Sequence, residues 1–98
     1  MDEEERMLEL IKTTRFKKDC QRMEKRGSDM TRLDTVIEML RKGETLPEKY
    51  DDHKLHGKDN NCRECHIEPN WLLKYMIDAE GLVLVALRTG SHSDLKFG

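Results

Sequence analysis

The sequence has none of the features that mark an exported, membrane-spanning or disulfide-stapled protein. No apolar run reaches the length of about 20 residues that a membrane helix needs. Residues 1–6 carry four acids and one base, whereas a signal peptide begins with basic residues. There are three cysteines, and an odd number does not suit a framework of disulfides. We therefore expect a cytoplasmic protein that has no membrane partner.

The chain is short, and its charge is unevenly distributed. Ninety-eight residues without an internal repeat predict one domain over residues 1–98, with residues 1–6 as an acidic N-terminal extension. The net charge is −2, yet residues 12–42 contain ten lysines and arginines against five acids. Such an excess can contact a phosphate backbone. Because acids interleave with the bases, a solvated helical surface explains the charge pattern more simply.

Hydrophobic spacing predicts a strand and two helices in the first half of the chain. Residues 7–12 have the short apolar character of a strand. The following helix begins at Thr13 or Thr14, either of which can cap it, and ends before Gly27. A second helix has apolar residues at three- and four-residue steps and ends at Gly43.

The second half of the chain has the character of strands. A polar segment at 48–61 is followed by three apolar segments at 62–67, 71–77 and 81–87, with turn residues between them. The predicted order is β-α-α-β-β-β. This order favours an α+β domain in which a helical hairpin packs on an antiparallel sheet.

Residues 62–66 read Cys-Arg-Glu-Cys-His and match the attachment signature of c-type haem. Haem attachment of that type requires export, and the sequence has no signal peptide. A zinc site would need a second ligand pair, although His53, His56 or His92 could in principle complete one. Two cysteines three positions apart on a strand also point to opposite faces. We therefore expect neither a metal nor any other cofactor.

The four histidines all lie in the second half of the chain. They are His53, His56, His66 and His92. If the last three strands pair as a meander, His66 can approach Arg88 across the sheet. Any single histidine is most simply a surface residue, but several that converge with an arginine indicate a functional site.

Three segments resemble the YafQ branch of the RelE/ParE toxin superfamily. They are residues 52–57, 63–75 and 87–95, and residues 13–19 and 46–47 are similar in a looser way. The order and spacing of the three segments make the resemblance specific. It covers nearly the whole chain and leaves residues 1–6 as the extension.

The resemblance implies the toxin of a type II toxin–antitoxin pair. Toxins of this family are ribosome-dependent endoribonucleases, or mRNA interferases, that enter the ribosomal A site and cleave the messenger there. Their RelE/ParE-like microbial ribonuclease fold has the element order predicted above. The implied partners are a cognate antitoxin protein, the 70S ribosome with its mRNA, and ribosomal RNA contacted through the basic first helix, including Lys17 and Lys18.

The resemblance also implies a set of catalytic residues. RNA cleavage without a metal needs a base that takes the proton of the 2′-hydroxyl, an acid that protonates the departing 5′-oxygen, and a cation that holds the charge on phosphorus. Histidine suits both proton transfers because its ordinary pKa is about 6.5. We expect His92 to be the acid, either His53 or His66 to be the base, and Arg88 to stabilise the anion.

Two further positions match the site of the family. Phe97 can stack on a nucleotide or fill the core beneath the C-terminus. Asn70 stands where the family has an aspartate, and an amide cannot serve as a general base. Trp71 lies beside these positions, but we assign it to the core.

Two other functions remain open from the residues. One is a ParE-like toxin that inhibits DNA gyrase by binding and has no nuclease activity. The other is a small zinc-stabilised module. The histidines favour the nuclease because a protein that only binds needs no acid–base pair.

Overall fold

Five strands and three helices make up residues 7–96, which are the residues that a computed structural model of the chain describes. The elements are β1 (Glu9–Lys12), α1 (Thr14–Lys25), α2 (Met30–Arg41), β2 (His53–Lys54), β3 (Arg63–Glu68), β4 (Trp71–Ile77), β5 (Val83–Gly90) and α3 (His92–Lys96). Short 3-10 turns occupy Glu48–Tyr50 and Gly57–Asp59. Within this range no helix is long and apolar enough to cross a membrane.

The strands form one sheet in the order β1-β5-β4-β3-β2. Strands β3 to β5 pair antiparallel, as predicted, β2 also pairs antiparallel with β3, and β1 lies parallel to β5. The α+β class and the order of elements are confirmed, but the sheet is mixed rather than antiparallel throughout. A parallel pair requires a long crossover connection, and here both long helices and three strands lie between its two members.

Two short elements stand where the sequence predicts a polar loop and a polar tail. β2 has two residues, and α3 follows β5 after a single intervening residue. Both are too short to produce a hydrophobic period.

The two long helices begin and end at residues that the sequence singles out. Thr13 caps α1, because its hydroxyl oxygen accepts a hydrogen bond from the Phe16 N–H at 3.0 Å. The same hydroxyl donates to the Leu87 carbonyl at 2.9 Å and so ties the start of α1 to β5. Asp29 caps α2. Gly27, just after α1, has φ 86°, a left-handed conformation that costs glycine little.

The core lies between the helices and one face of the sheet. Alternate residues of β3 and β4, including Cys65, Leu73 and Tyr75, are buried there. The helices contribute Phe16 and Leu33 among other buried apolar residues. Trp71 is also buried in this core, which confirms its assignment.

A buried carboxylate joins α1 to the last part of β5. The side chain of Asp19 accepts hydrogen bonds from Arg88 Nε at 2.7 Å, from Arg22 Nη2 at 2.9 Å and from the Thr89 N–H at 3.1 Å. β1 pairs with residues 83–86 of β5 and ends before Thr89. Asp19 therefore satisfies a backbone donor that the sheet leaves unpaired, and α1 takes the place of a neighbouring strand.

A second ion pair holds α3 against α1. The Asp94 carboxylate accepts two hydrogen bonds from Arg26, at 2.7 and 3.1 Å, and one from the Ser91 N–H at 2.9 Å. Ser91 Oγ in turn accepts from the Asp94 N–H at 3.1 Å, which gives a reciprocal cap. His92, the first residue of α3, is placed by this arrangement.

We expect Thr89→Val to lower the free energy of unfolding by about 1–3 kcal/mol, the cost of leaving a buried donor unpaired. Thr89 is fully buried, its Oγ1 accepts from Trp71 Nε1 at 2.8 Å, and its hydroxyl donates to the Leu72 carbonyl at 2.7 Å. Urea unfolding measures the effect. Thr89→Ser is the matched control, since it keeps the hydroxyl. Equal stability of the two variants would contradict this assignment.

We also expect Asp94→Asn to destabilise the protein at neutral pH and to make progressively less difference in acid. The Arg26 guanidinium, helped by Ser91, holds the pKa of the Asp94 carboxyl well below its usual range. The stabilisation is therefore complete above the unfolded-state pKa of about 3.9 and is lost as pH falls through the lower folded-state value. Unfolding of both proteins between pH 7 and pH 2 tests this.

Glu80→Gln, at an exposed carboxylate in the turn between β4 and β5, serves as the control for Asp94→Asn. A stability difference for Asp94→Asn that is unchanged down to pH 2 would show that the Arg26 pair does not stabilise the fold.

Candidate active site

Three of the four histidines meet at one place. His53 comes from β2, His66 from β3 and His92 from the start of α3. The ring centroids of His53 and His66 are 6.3 Å apart, and those of His66 and His92 are 5.6 Å apart. His66 is therefore the central member. His56, which matches no site position of the family, is exposed and takes no part in these ring contacts.

The strand register brings the three rings together. His53 pairs with Glu64, which lies two residues before His66 and thus on the same face of β3. His66 is opposite Leu72 on β4, and Leu72 is opposite Gly90 on β5. His92, the first residue of α3, follows Gly90 after one residue. The end of β5 therefore places His92 close to the row that contains His66.

His92 is oriented by Asn70, which lies in the turn between β3 and β4. The Asn70 Oδ1 atom is 2.7 Å from His92 Nδ1 and accepts a hydrogen bond from the His92 backbone N–H at 3.1 Å. An amide oxygen only accepts, so Nδ1 must carry a hydrogen and Nε2 is the nitrogen left to exchange a proton. Asn70 thus selects the tautomer of His92 without adding charge.

The other two histidines have different surroundings. His53 Nδ1 donates to the carbonyl oxygen of Asp51 at 2.7 Å, and its Nε2 lies 3.9 Å from the Glu64 carboxylate. The side chain of His66 is 19% exposed, and its Nδ1 is buried without a hydrogen-bond partner among the described residues. Unlike environments of neighbouring titratable groups are typical of acid–base sites.

A partly buried network holds the segment that carries His53. Asp52 accepts a hydrogen bond from the Tyr75 hydroxyl at 2.6 Å and from Arg63 Nη2 at 3.1 Å. Burial, followed by the adjacent Asp52 carboxylate, raises the pKa of Tyr75 above its ordinary value, so the hydroxyl keeps its proton and donates. Sequence reasoning missed this support, although Asp52 and Arg63 begin two of the segments that carry the family resemblance.

Arg88 lies on β5, near the histidines, but its guanidinium is already hydrogen-bonded. Its register partner is Lys74, so it lies one row away from the row of His66 and Gly90. Its side chain is 11% exposed, and both Nε and Nη2 donate to Asp19. Nη1 is buried and has no partner among the described residues. Asp19 therefore fixes the direction of the guanidinium.

The remaining predicted positions lie elsewhere or outside the described range. Lys17 and Lys18 are exposed on α1. Phe97 and the acidic extension at 1–6 lie outside the described residues.

The two cysteines of the haem-like motif have different surroundings. Cys65 is fully buried in the core, and burial raises the pKa of its thiol to about 12. Cys62 is half-buried just before β3. A buried, protonated thiol suits neither haem attachment nor a zinc thiolate. Among the residues that the structure describes, no three histidine, cysteine or acidic side chains are placed to hold a metal ion.

An open cleft of about 650 Å³ adjoins His66. Lys49 and Tyr50 line one side, where the Lys49 ammonium lies 5.1 Å from the centroid of the Tyr50 ring. Arg32 and Glu68, joined by an ion pair at 2.8 Å, also line it. His66 thus lines an open cleft, with the His53 and His92 rings beside it, and one imidazole of such a group can accept a proton while its neighbour donates one.

Known proteins are similar to this chain in sequence and in fold. A sequence model of YafQ, described as a bacterial toxin of a type II toxin–antitoxin system, matches residues 8–97. The mRNA interferase toxin YafQ of Escherichia coli is 35% identical over 81 residues, which are 82% of this chain and 86% of that protein. A putative toxin YafQ of Haemophilus influenzae is 32% identical, over 92% of this chain and 93% of that protein.

Solved structures agree with these sequence matches. A copper-bound mutant toxin from Helicobacter pylori is 42% identical with a TM-score of 0.86, covering 91% of this chain and 99% of that one. The E. coli DinJ–YafQ toxin–antitoxin complex contains a chain that is 32% identical with a TM-score of 0.83, covering 94% of this chain and 99% of that one. With nearly its whole length matched in sequence and in fold, the chain belongs to the YafQ family of bacterial toxins of type II toxin–antitoxin systems.

Proposed function

We propose that this protein is a ribosome-dependent mRNA interferase, an endoribonuclease that cleaves messenger RNA in the ribosomal A site without a metal ion. The observation that carries the proposal is the proximity of the His53 and His92 rings to His66, which lines an open cleft. The name of the E. coli relative, an mRNA interferase toxin, supports the same activity. A toxin that only bound gyrase would have no use for this set of titratable groups.

The proposed reaction is attack of a 2′-hydroxyl on the adjacent phosphorus. His66 takes the proton of the hydroxyl, and His92 gives a proton to the departing 5′-oxygen through Nε2, since Nδ1 is held by Asn70. The products are a 2′,3′-cyclic phosphate and a 5′-hydroxyl. His66 is preferred over His53 as the base because His53 Nε2, the nitrogen left to accept a proton, faces the Glu64 carboxylate.

Arg88 supplies the positive charge that stabilises the phosphorane. Asp19 fixes the direction of its guanidinium before substrate arrives. The Nη1 donors are not used by any described residue of the protein.

The ribosome is proposed to supply what the small site lacks. His92 is exposed, and the cleft beside His66 is open rather than enclosed, so the protein by itself does little to position a messenger. We assign Lys17 and Lys18, exposed on α1, to contacts with ribosomal RNA. Phe97 is assigned to stacking on a nucleotide of the messenger. The proposed site of action is the cytoplasm.

A cognate antitoxin is the proposed inhibitory partner. The DinJ–YafQ complex shows that a relative of this chain assembles with an antitoxin. An acidic antitoxin segment would be attracted to the same exposed lysines of α1 that are proposed to contact RNA.

We expect His92→Ala to lose at least about 10² in the single-turnover rate of cleavage on a programmed ribosome, the low end of what a general acid contributes. His56→Ala is the matched control and should retain the wild-type rate, since His56 is exposed and outside the ring contacts. Primer extension on the message measures the cuts. Full activity of His92→Ala would remove His92 from the chemistry, and intact messages with a supercoiling defect would favour the gyrase inhibitor.

We expect Asn70→Asp to extend activity to higher pH. A carboxylate 2.7 Å from His92 Nδ1 favours the protonated imidazole, and the general acid is active only while it is protonated. The alkaline limb of the single-turnover pH–rate profile should therefore shift upward. Asn70→Ala, which removes the orienting oxygen, should instead lower the rate across the profile. An unchanged alkaline limb in Asn70→Asp would show that His92 does not act as the acid.

A further inference from the structure

One polar atom of the site, Nδ1 of His66, has no hydrogen-bond partner among the described residues, and the proposed mechanism does not account for this. The atom is buried. A buried imidazole nitrogen left unpaired is costly, and such an atom in a site calls for a partner that engages during function. The Asp51 carboxylate lies 3.6 Å from this nitrogen through Oδ2. That separation is within ion-pair range but longer than a hydrogen bond.

We propose that Asp51 is the positioning carboxylate of His66, so that the two side chains form a dyad in which His66 is the general base. The inference rests on the function proposed above. Asp51 is not among the positions that match the family site, and sequence reasoning did not select it. Its carboxylate is 72% exposed, so a rotation of the side chain can close the remaining gap when substrate binds. Hydrogen bonds of this kind are often long in a free enzyme and shorten in the complex.

The backbone of Asp51 is held in an unusual conformation. Its φ is 46°, the only positive value at a non-glycine position in the described part of the chain. Its N–H donates to the Glu48 carbonyl at 2.9 Å, and its carbonyl accepts from His53 Nδ1 at 2.7 Å. The next residue, Asp52, is bound to Tyr75 and Arg63. The left-handed backbone is thus fixed from both sides, with the carboxylate left beside His66.

The dyad would set the tautomer of His66 and stabilise its protonated form. With Nδ1–H donating to Asp51, the lone pair of His66 lies on Nε2 and can accept the proton of the 2′-hydroxyl. The carboxylate then stabilises the imidazolium that forms, as the aspartate of a catalytic triad does. Among the described residues, the side-chain partner of His92 is the neutral amide of Asn70. A charged partner on His66 and a neutral partner on His92 make their environments unequal, which an acid–base pair requires.

Other charged groups near His66 are already engaged. The groups that face its surroundings are the His53 and His92 rings, the Glu64 and Glu68 carboxylates, and the cations Arg32 and Lys49. Glu68 is paired with Arg32, and Glu64 faces His53. Asp51 is therefore the carboxylate that faces the unpaired nitrogen.

The test is Asp51→Asn, with two readouts. Asparagine adopts the left-handed conformation as readily as aspartate, so the fold should be retained. The single-turnover rate should fall about tenfold or more, which is part of the 10²–10⁴ that a general base contributes. The acidic limb of the pH–rate profile should move to lower pH, because an amide does not favour the protonated imidazole. Asp51→Glu restores the carboxylate and should recover part of the rate.

The second readout needs no cleavage and separates the dyad from the proposed function. The NMR titration midpoint of His66, assigned with a His66→Gln variant, should move to lower pH in Asp51→Asn. Glu48→Gln is the control, since it makes the same change of charge at an exposed position of the same segment. A midpoint that is unchanged in Asp51→Asn, or that moves equally in Glu48→Gln, would overturn the dyad. A shifted midpoint in a protein that cleaves no message would keep the dyad and reject the nuclease.

Discussion

The hydrogen-bonded, buried carboxylate of Asp19 is the interaction on which the end of the molecule that carries the candidate site depends. It is 3% exposed and accepts hydrogen bonds from two guanidinium groups and one backbone N–H. A buried carboxylate is unfavourable unless it is fully paired, so α1 can lie in only one position along β5. That position supplies the missing neighbour of β5 beyond the end of β1. It also fixes the direction of Arg88, which makes the proposed cation of the site a consequence of how the helix docks.

The arrangement of the three histidines is built outward from this junction. Thr89, whose N–H is held by Asp19, accepts from the Trp71 indole and donates to the Leu72 carbonyl, so β5 and β4 keep their register. That register places Gly90, at the end of β5, opposite Leu72 of β4, which in turn is opposite His66 of β3. The exposed histidine on α3 is then held by an ion pair between Asp94 and Arg26 of α1. Rigid, hydrogen-bonded elements thus carry a site that lies at the open surface.

Ion pairs within the fold change how the excess of basic residues in the first half of the chain is interpreted. Three of the basic residues in the first half of the chain, Arg22, Arg26 and Arg32, are paired with Asp19, Asp94 and Glu68. The Arg26 pair joins α1 to α3 and the Arg32 pair joins α2 to β3, whereas the Arg22 pair lies within α1. Lys17 and Lys18 are exposed on α1 and form no ion pair with any residue between 7 and 96. The excess of positive charge that the sequence displays is therefore partly structural.

Local rules were enough for much of this protein. Capping by Thr13, the stop at Gly27 and the alternation in β3 and β4 each depend on neighbours a few residues away, so they can be predicted from the sequence. The resemblance to the family, which also depends on short stretches of sequence, selected His53, His66 and His92. The tertiary structure alone decided the parallel pairing of β1 with β5, the capture of Arg88 by Asp19 and the approach of Asp51 to His66. Those contacts join residues distant in the chain, and which of them form depends on how helices and strands pack, a constraint that no local pattern records.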